Sequence, residues 1–346
     1  MHIPDGYLSP QTCAVMYVAM VPVWAAAVKK VKQALSTRHV PLMMIGAAFT
    51  FVIMMFNVPI PDGTTGHAVG GAILAIVLGP WAASICITIA LVIQALLFGD
   101  GGIWALGANC FNMAFILPFS AYYVYQLISG RSEITSPRRW IGGLAAGYIG
   151  LNLAALFAAF EFGIQPALFH TASGVPLYCP YPLSKAVPAM AFAHLLVAGP
   201  IEAVVTGLLV RFLQASNPAL LDIAGAGQPM SNISKLWWGI AGLIILSPLG
   251  LLAPGTAWGE WGLEEIKELV GTTPPGMARF AEKWHALLPD YTIPGFDKTF
   301  GQSAAVYILS AVVGIAITVG LTYLFARYAA AKRQEQHPVE KGSFPK

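Results

Sequence analysis

Charge is scarce in this chain: Asp, Glu, Lys and Arg make up 10% of its 346 residues, where a soluble domain carries about a quarter. Hydrophobic residues make up 57%, so a soluble fold is excluded and an all-α polytopic membrane protein is implied. Cysteine is also rare. Cys13, Cys86, Cys110 and Cys179 form no Cys-x-x-Cys pair, which argues against a thiolate metal site and a disulfide framework. The phosphate-binding string Gly-x4-Gly-Lys-Ser/Thr does not occur, so the chain carries no ATPase chemistry of that kind. No His-Glu-x-x-His occurs either, which removes the usual helical frame of an intramembrane metalloenzyme. Heptads, low-complexity tracts and internal repeats are missing. The net charge of +3 does not point to nucleic acid, and no such partner is expected. What carries information is how the basic residues are shared between loops.

Nine apolar stretches approach the roughly 20 residues needed to cross a hydrocarbon core. They lie near 12–31, 41–56, 67–79, 81–98, 103–127, 140–162, 186–213, 235–253 and 302–327. The second and third are short and flank a Gly/Pro-rich stretch, Asn57 to Gly71. Such a stretch is expected to dip into the membrane and line a cavity, because lipid cannot satisfy irregular backbone. With the N-terminus outside, 14 of the 19 Lys and Arg residues fall on the inner side, and four of the other five sit in one long outer loop. The positive-inside rule therefore predicts N-out and C-in, which puts residue 1 and the 57–71 loop in the same outer compartment.

The first six residues, Met1-His2-Ile3-Pro4-Asp5-Gly6, have an ordinary reading as a disordered polar start and a sharper one as a chelate. The α-amine of Met1, the backbone amide of His2 and its Nδ1 close an unstrained five-membered ring and then a six-membered ring around one ion. Three nitrogens in one plane select ions that accept tetragonal geometry, Ni(II) and Cu(II) before Zn(II). The amine must be free. Residues 1 to 9 have neither a basic n-region nor an apolar h-region, and a His at position 2 should block removal of the initiator Met. The fourth corner needs a donor from elsewhere. His67, after two prolines and two glycines in Asn57-Val58-Pro59-Ile60-Pro61-Asp62-Gly63-Thr64-Thr65-Gly66, is placed to offer a neutral imidazole nitrogen.

Met1 to Pro10, the Pro61 to His67 segment, the run Gly107-Ala108-Asn109-Cys110-Phe111-Asn112-Met113 and the pair Ala193-His194 with Ile201-Glu202-Ala203 are similar to the CbiM/NikM family. These are the substrate-binding (S) components of energy-coupling-factor nickel and cobalt transporters. The resemblance covers roughly residues 1 to 215. It implies Met1, His2 and His67 as metal ligands, Ni2+ or Co2+ as cargo, and residence in a prokaryotic cytoplasmic (inner) membrane. It also implies a transmembrane coupling subunit of the EcfT/CbiQ/NikQ kind and two CbiO/NikO-like ATPase subunits as partners. Residues 216–234 read as a linker. Residues 235–330 look like the two-helix NikN/CbiN accessory component (PDGLE type), although the PDGLE string itself is absent, and 331–346 read as a cytoplasmic tail. The expected architecture is thus an S-component bundle of about seven helices plus two further transmembrane helices, in contact with the bilayer.

Asp100, Asn109, His194 and Glu202 are candidates for gating or for orienting the ligands; each also has a plainer reading as a turn residue or an interhelical contact. His170 and Cys179 fall in a loop read as an ordinary lid, and Glu264 to Glu268 as the polar face of a short surface helix. Two functions compete. One is the metal-capturing subunit of an ATP-driven importer, and the other a self-sufficient proton-coupled secondary transporter relaying protons through His194, Glu202 and Asp100.

Overall fold

A computed structural model describes every residue except 35–38, 62, 131, 222–232, 282 and 337–346. Arg38, Asp62, Arg131, the centre of the expected linker and most of the expected tail therefore lie outside the described residues. Helix α1 spans Pro10–Ala34, α2 Val40–Met54, α3 Gly71–Leu78 and α4 Pro80–Ile93. A π turn, Gln94–Phe98, ends α4. Helix α5 (Leu106–Asn109), a second π turn (Cys110–Ile116) and α6 (Leu117–Ser129) run on continuously. After α7 (Pro137–Gly163) and the single turn α8 (Gln165–Leu168), α9 (Leu183–Ala193) continues through a third π turn (His194–Ala198) into α10 (Gly199–Ser216). The remaining helices are α11 (Ser234–Leu246), α12 (Leu263–Val270), α13 (Pro275–Ala281) and α14 (Phe300–Gln336). Among the described residues six helical rods are long and apolar enough to cross a membrane, and α2 is a shorter apolar helix.

All nine apolar stretches of the sequence contain helix. The third is corrected in one respect: it is helical only from Gly71, because His67–Gly70 stays out of the helix, with Gly70 at a left-handed φ of 73°. The preceding loop is pinched into a minimal hairpin. Strands β1 (Val58–Pro59) and β2 (Thr65–Gly66) pair antiparallel, Val58 opposite Gly66 and Pro59 opposite Thr65. The loop between α11 and α14 folds as well, and the charge pattern Glu264–Glu268 is realised as α12.

Helix α7 is the spine of the first bundle, packed between α6, α9 and α10. Its buried positions are nearly all small, including Gly143, Ala146, Gly147, Gly150, Ala154 and Ala158. Small residues let membrane helices approach backbone to backbone, where no hydrophobic effect would drive them together. A Cβ on Gly147 would meet the Glu202 carbonyl and Ala203 of α10, and one on Gly150 would meet Ala121 and the Leu117 carbonyl of α6. Helix α14 packs along α2 on the other side, and the Tyr307 hydroxyl donates to the Met55 carbonyl at 2.8 Å. The α11–α14 loop reaches back over the first bundle, with Ala257 bridged to Thr65 in parallel.

Candidate metal centre

The N-terminal segment is threaded into the bundle by backbone bonds at alternate residues. Asn109 grips Ile3 from both sides, its Oδ1 accepting from the Ile3 amide at 2.7 Å and its Nδ2 donating to the Ile3 carbonyl at 3.1 Å. The Gly102 amide donates to the same carbonyl at 2.8 Å. Asp5 then accepts from the amides of Ile103, Trp104 and Ala105 at 3.0, 2.8 and 3.2 Å, which are the free donors leading into α5. Further along, the Cys179 amide donates to the Tyr7 carbonyl and the Tyr7 hydroxyl to the Trp261 carbonyl, at 2.9 and 2.8 Å. The loop read as a lid therefore clamps the terminus through its backbone, while Cys179 stays a free thiol and His170 is exposed.

Gly6 makes this path possible. Its φ of 92° belongs to the left-handed region, and a Cβ there would run into the Met277 carbonyl oxygen. Gly6→Ala is expected to cost about 1–3 kcal/mol. A fall of several degrees in the thermal midpoint of the purified protein would register it, and an unchanged midpoint would remove Gly6 from this role.

These bonds deliver Met1 and His2 into a closed chamber, 7% and 1% exposed. The Met1 amine donates to Glu260 Oε1 at 2.9 Å. His2 Nδ1 lies 3.0 Å from Asp100 Oδ1 but off the line of a hydrogen bond, so both ring nitrogens of this buried imidazole lack an aligned partner among the described residues. The His67 ring sits beside it, with centroids 5.1 Å apart and planes tilted 30°. Nδ1 of His67 is 3.0 Å from the Ala68 carbonyl; a proton donated there leaves the lone pair on Nε2. Burial, then the Met1 ammonium and His2, push the His67 pKa down to about 3, which favours the neutral imidazole. For Asp100, burial raises the pKa, but the neighbouring imidazoles and the Tyr291 hydroxyl outweigh it and hold the carboxyl below the usual range.

The position of His67 is fixed from α10. Glu202, fully buried, accepts from the amides of Val69, Gly70 and Ala72 at 2.8, 2.9 and 3.3 Å. It caps α3 and locks the chain immediately after His67. His194, in the π turn ahead of α10, is buried with its Nδ1 2.8 Å from the Met190 carbonyl. No hydrogen bond joins His194, Glu202 and Asp100 to one another among the described residues. Asn112 donates to Glu161 at 2.8 Å, away from the chamber's nitrogens.

Two residues of the chamber are not among the site candidates drawn from the sequence, where Glu260 reads only as one of several loop carboxylates able to concentrate cations, and both come from the α11–α14 loop. Glu260 stands on the Met1 amine. Tyr291 donates to Asp100 Oδ2 at 2.6 Å. His2, Asp100 and Glu260 bring one nitrogen and two oxygens within 4.8 Å of one another. No local pattern flags either residue, since Glu260 lies 259 positions from its partner and Tyr291 lies 191 from Asp100. As a donor set, imidazole and amine nitrogens with carboxylates suit a divalent transition ion.

Comparison with known proteins gives two family matches along the chain. Residues 2–220 match "Cobalt uptake substrate-specific transmembrane region" and residues 234–331 match the PDGLE domain. The chain is 51% identical over 350 residues to a fused nickel transport protein, NikMN, of Rhodobacter capsulatus, covering 96% of this chain and 99% of that one. It is 47% identical over 330 residues to a probable fused nickel transport protein, LarMN, of Lactiplantibacillus plantarum, covering 92% and 95%. A crystal structure described as a truncated transition metal transporter superposes with a TM-score of 0.59 at 60% identity, covering 62% of this chain and 99% of that chain.

Proposed function

The chain belongs to the cobalt-uptake substrate-specific transmembrane family, with a PDGLE domain behind it, and from that premise we propose that it captures Ni(II) as the substrate-binding subunit of an ATP-driven importer. Like its relatives it is a membrane-embedded metal transport protein, of the kind that serves nickel and cobalt. The finer reading assigns four nitrogens to the ion: the Met1 amine, the His2 amide and Nδ1, and Nε2 of His67. Ile3 is bonded on both sides, yet among the described residues the His2 amide itself has no hydrogen-bond acceptor, which leaves it available for coordination. The single observation that carries the reading is the buried His2 imidazole, whose two nitrogens have no aligned hydrogen-bond partner among the described residues, with the His67 ring centroid 5.1 Å from its own. An unpaired polar group buried in a folded protein calls for an explanation, and a bound ion supplies one.

Four in-plane nitrogens favour nickel over cobalt. Capture at the outer face, with the C-terminus inside, follows from the distribution of Lys and Arg. Energy must come from partners, a coupling subunit in the membrane and two ATPase subunits, because the chain has no phosphate-binding loop of its own. A self-sufficient proton-coupled carrier would need His194, Glu202 and Asp100 to exchange protons. Glu202 is instead engaged with three amides and His194 with a carbonyl.

Isothermal titration of the purified chain with Ni(II) and Co(II) tests the site. His67→Ala is expected to weaken Ni(II) binding by about a hundredfold, the range for loss of a metal-site group, with the thermal midpoint of the metal-free protein nearly unchanged. Binding indistinguishable from the native chain would remove His67 from the ligand set. Because the His2 amide must give up its proton to bind, capture is expected to release at least one proton near neutral pH. Titrations in buffers of different ionisation enthalpy read that number, and a value of zero would exclude the amide.

A further inference from the structure

A second space in the molecule has no part in holding the ion. Helix α10, the last of the first bundle, leans on α7, whereas α11, the first of the PDGLE domain, leans on α2 and α14. Between them is left a crevice of about 500 Å³, walled by α2, α3, α10 and α11. Its lining is apolar except for Lys235, in the first turn of α11. Native interiors are packed as densely as organic crystals and hold few voids larger than a water molecule, so a space of this size calls for an occupant. We propose that the occupant is a phospholipid: one acyl chain fills the crevice and an anionic headgroup rests on Lys235, so that a lipid bridges the first bundle and the PDGLE domain.

Length, opening and charge all fit that occupant. The crevice runs along α2 from Leu42 to Ile53. A helix rises about 16 Å over that span, close to one leaflet's share of a hydrocarbon core about 30 Å thick. An extended acyl chain therefore fits end to end, with no polar group along its course. The mouth opens sideways between α10 and α11, where Leu208 and Phe212 are 64% and 42% exposed and Gly239 is exposed as well. At the depth of membrane-spanning helices such a mouth faces lipid, not water. One end of the crevice is marked by Lys235, near the start of α11, together with Leu42 near the start of α2 and Leu78 at the end of α3. This is where the helices leave the membrane, on the inner side in the C-in orientation proposed above. Arg211, three residues after Leu208 and so on the same side of α10, adds a second exposed cation. Neither Arg211 nor Lys235 has an ion-pair partner among the described residues. Basic groups between transmembrane helices at the cytoplasmic side seat acidic headgroups. The cations set a lipid apart from an apolar helix of a partner protein, which would gain nothing from them.

The test uses the purified full chain, stripped of lipid in detergent, with phosphatidylglycerol or phosphatidylethanolamine added back. Native mass spectrometry reads retention, and thermal unfolding reads the stabilisation that binding to the folded state brings. The native chain is expected to hold phosphatidylglycerol about fivefold more tightly than phosphatidylethanolamine, the attraction of one lysine for an acidic headgroup, and to melt several degrees higher with it. Lys235→Gln should erase that preference while the chain still takes up both lipids. Gly239→Phe should fill the crevice, since a Cβ there meets nothing within 4 Å, and so end retention of either lipid and the stabilisation it brings. Both variants should titrate with Ni(II) like the native chain, which reports that they are folded. Native lipid retention by Gly239→Phe overturns the proposal, as does an intact headgroup preference in Lys235→Gln. A native chain that retains no lipid and melts alike with and without it overturns the proposal too; if Gly239→Phe then also fails to assemble with the coupling subunit, the crevice is a protein-docking face instead.

Discussion

One glycine placed ahead of Met1 is expected to abolish tight capture of Ni(II), a loss on the order of a thousandfold or more in affinity. The reason is chemical before it is steric. The extension turns the Met1 amine into an amide, which like that of His2 binds only by giving up its proton, and it moves the free amine one residue away from the ring it closed with the His2 amide. The space is also closed, since Met1 is 7% exposed and its nitrogen already stands 2.9 Å from Glu260. The helices gain or lose nothing by the change: Ile3 and Asp5 keep their bonds to Asn109 and to the turn before α5. Calorimetry with the extended and native chains, paired with thermal unfolding of both, separates loss of ligand from loss of fold. Tight binding by the extended chain would leave the amine without a part in the site.

Truncating Glu202 to alanine is expected to destabilise the protein by about 3–5 kcal/mol and to weaken metal binding at the same time. Three amides at the start of α3 share this one carboxylate, and in the membrane interior no water replaces it. The first of them, on Val69, is two residues after His67, so a frayed α3 lets that imidazole wander. Glu202→Gln keeps an acceptor oxygen but turns an NH2 toward the same amides, and an intermediate loss is expected. Unfolding midpoints in detergent and Ni(II) titrations of both variants give the result. A Glu202→Ala protein that melts like the native one and has lost only transport would mean that the carboxylate serves the ion rather than the helix.

The membrane-spanning part of the fold was legible in the sequence because lipid imposes a simple rule: apolar runs of one length must be helices. Each of the nine runs contains helix, although among the described residues only six rods are long enough to cross a membrane and α2 and α3 are shorter. The start of α3 was misjudged by four residues, since hydropathy does not register that Ala68 and Val69, though apolar, belong to a loop fixed by an acid on α10. The three π turns, at Gln94, Cys110 and His194, were invisible too. A single added residue in a helix leaves no trace in an apolar pattern, although each turn lies at or beside a polar side chain facing the protein interior. Met1, His2 and His67 were readable as chemistry, because an amine, an amide and two imidazoles are recognisable wherever they occur. Asn109 and Glu202 were readable only as polar groups at membrane depth. Their bonding to backbone, Asn109 to Ile3 and Glu202 to the α3 cap, depends on which helices become neighbours. Glu260 was readable only as one carboxylate of a long loop and Tyr291 not at all, since what matters about both is a tertiary contact across most of the chain.

That last contact has a consequence for how the protein is made. The terminus that leaves the ribosome first meets its carboxylate partner only after another 259 residues, an interval of roughly 15 to 50 s at ordinary translation rates. Once Asp100 and Asn109 have been made, the rest of that interval passes with neither Glu260 nor Tyr291 yet synthesised. The chamber in this form therefore closes only after the loop between α11 and α14 has been made.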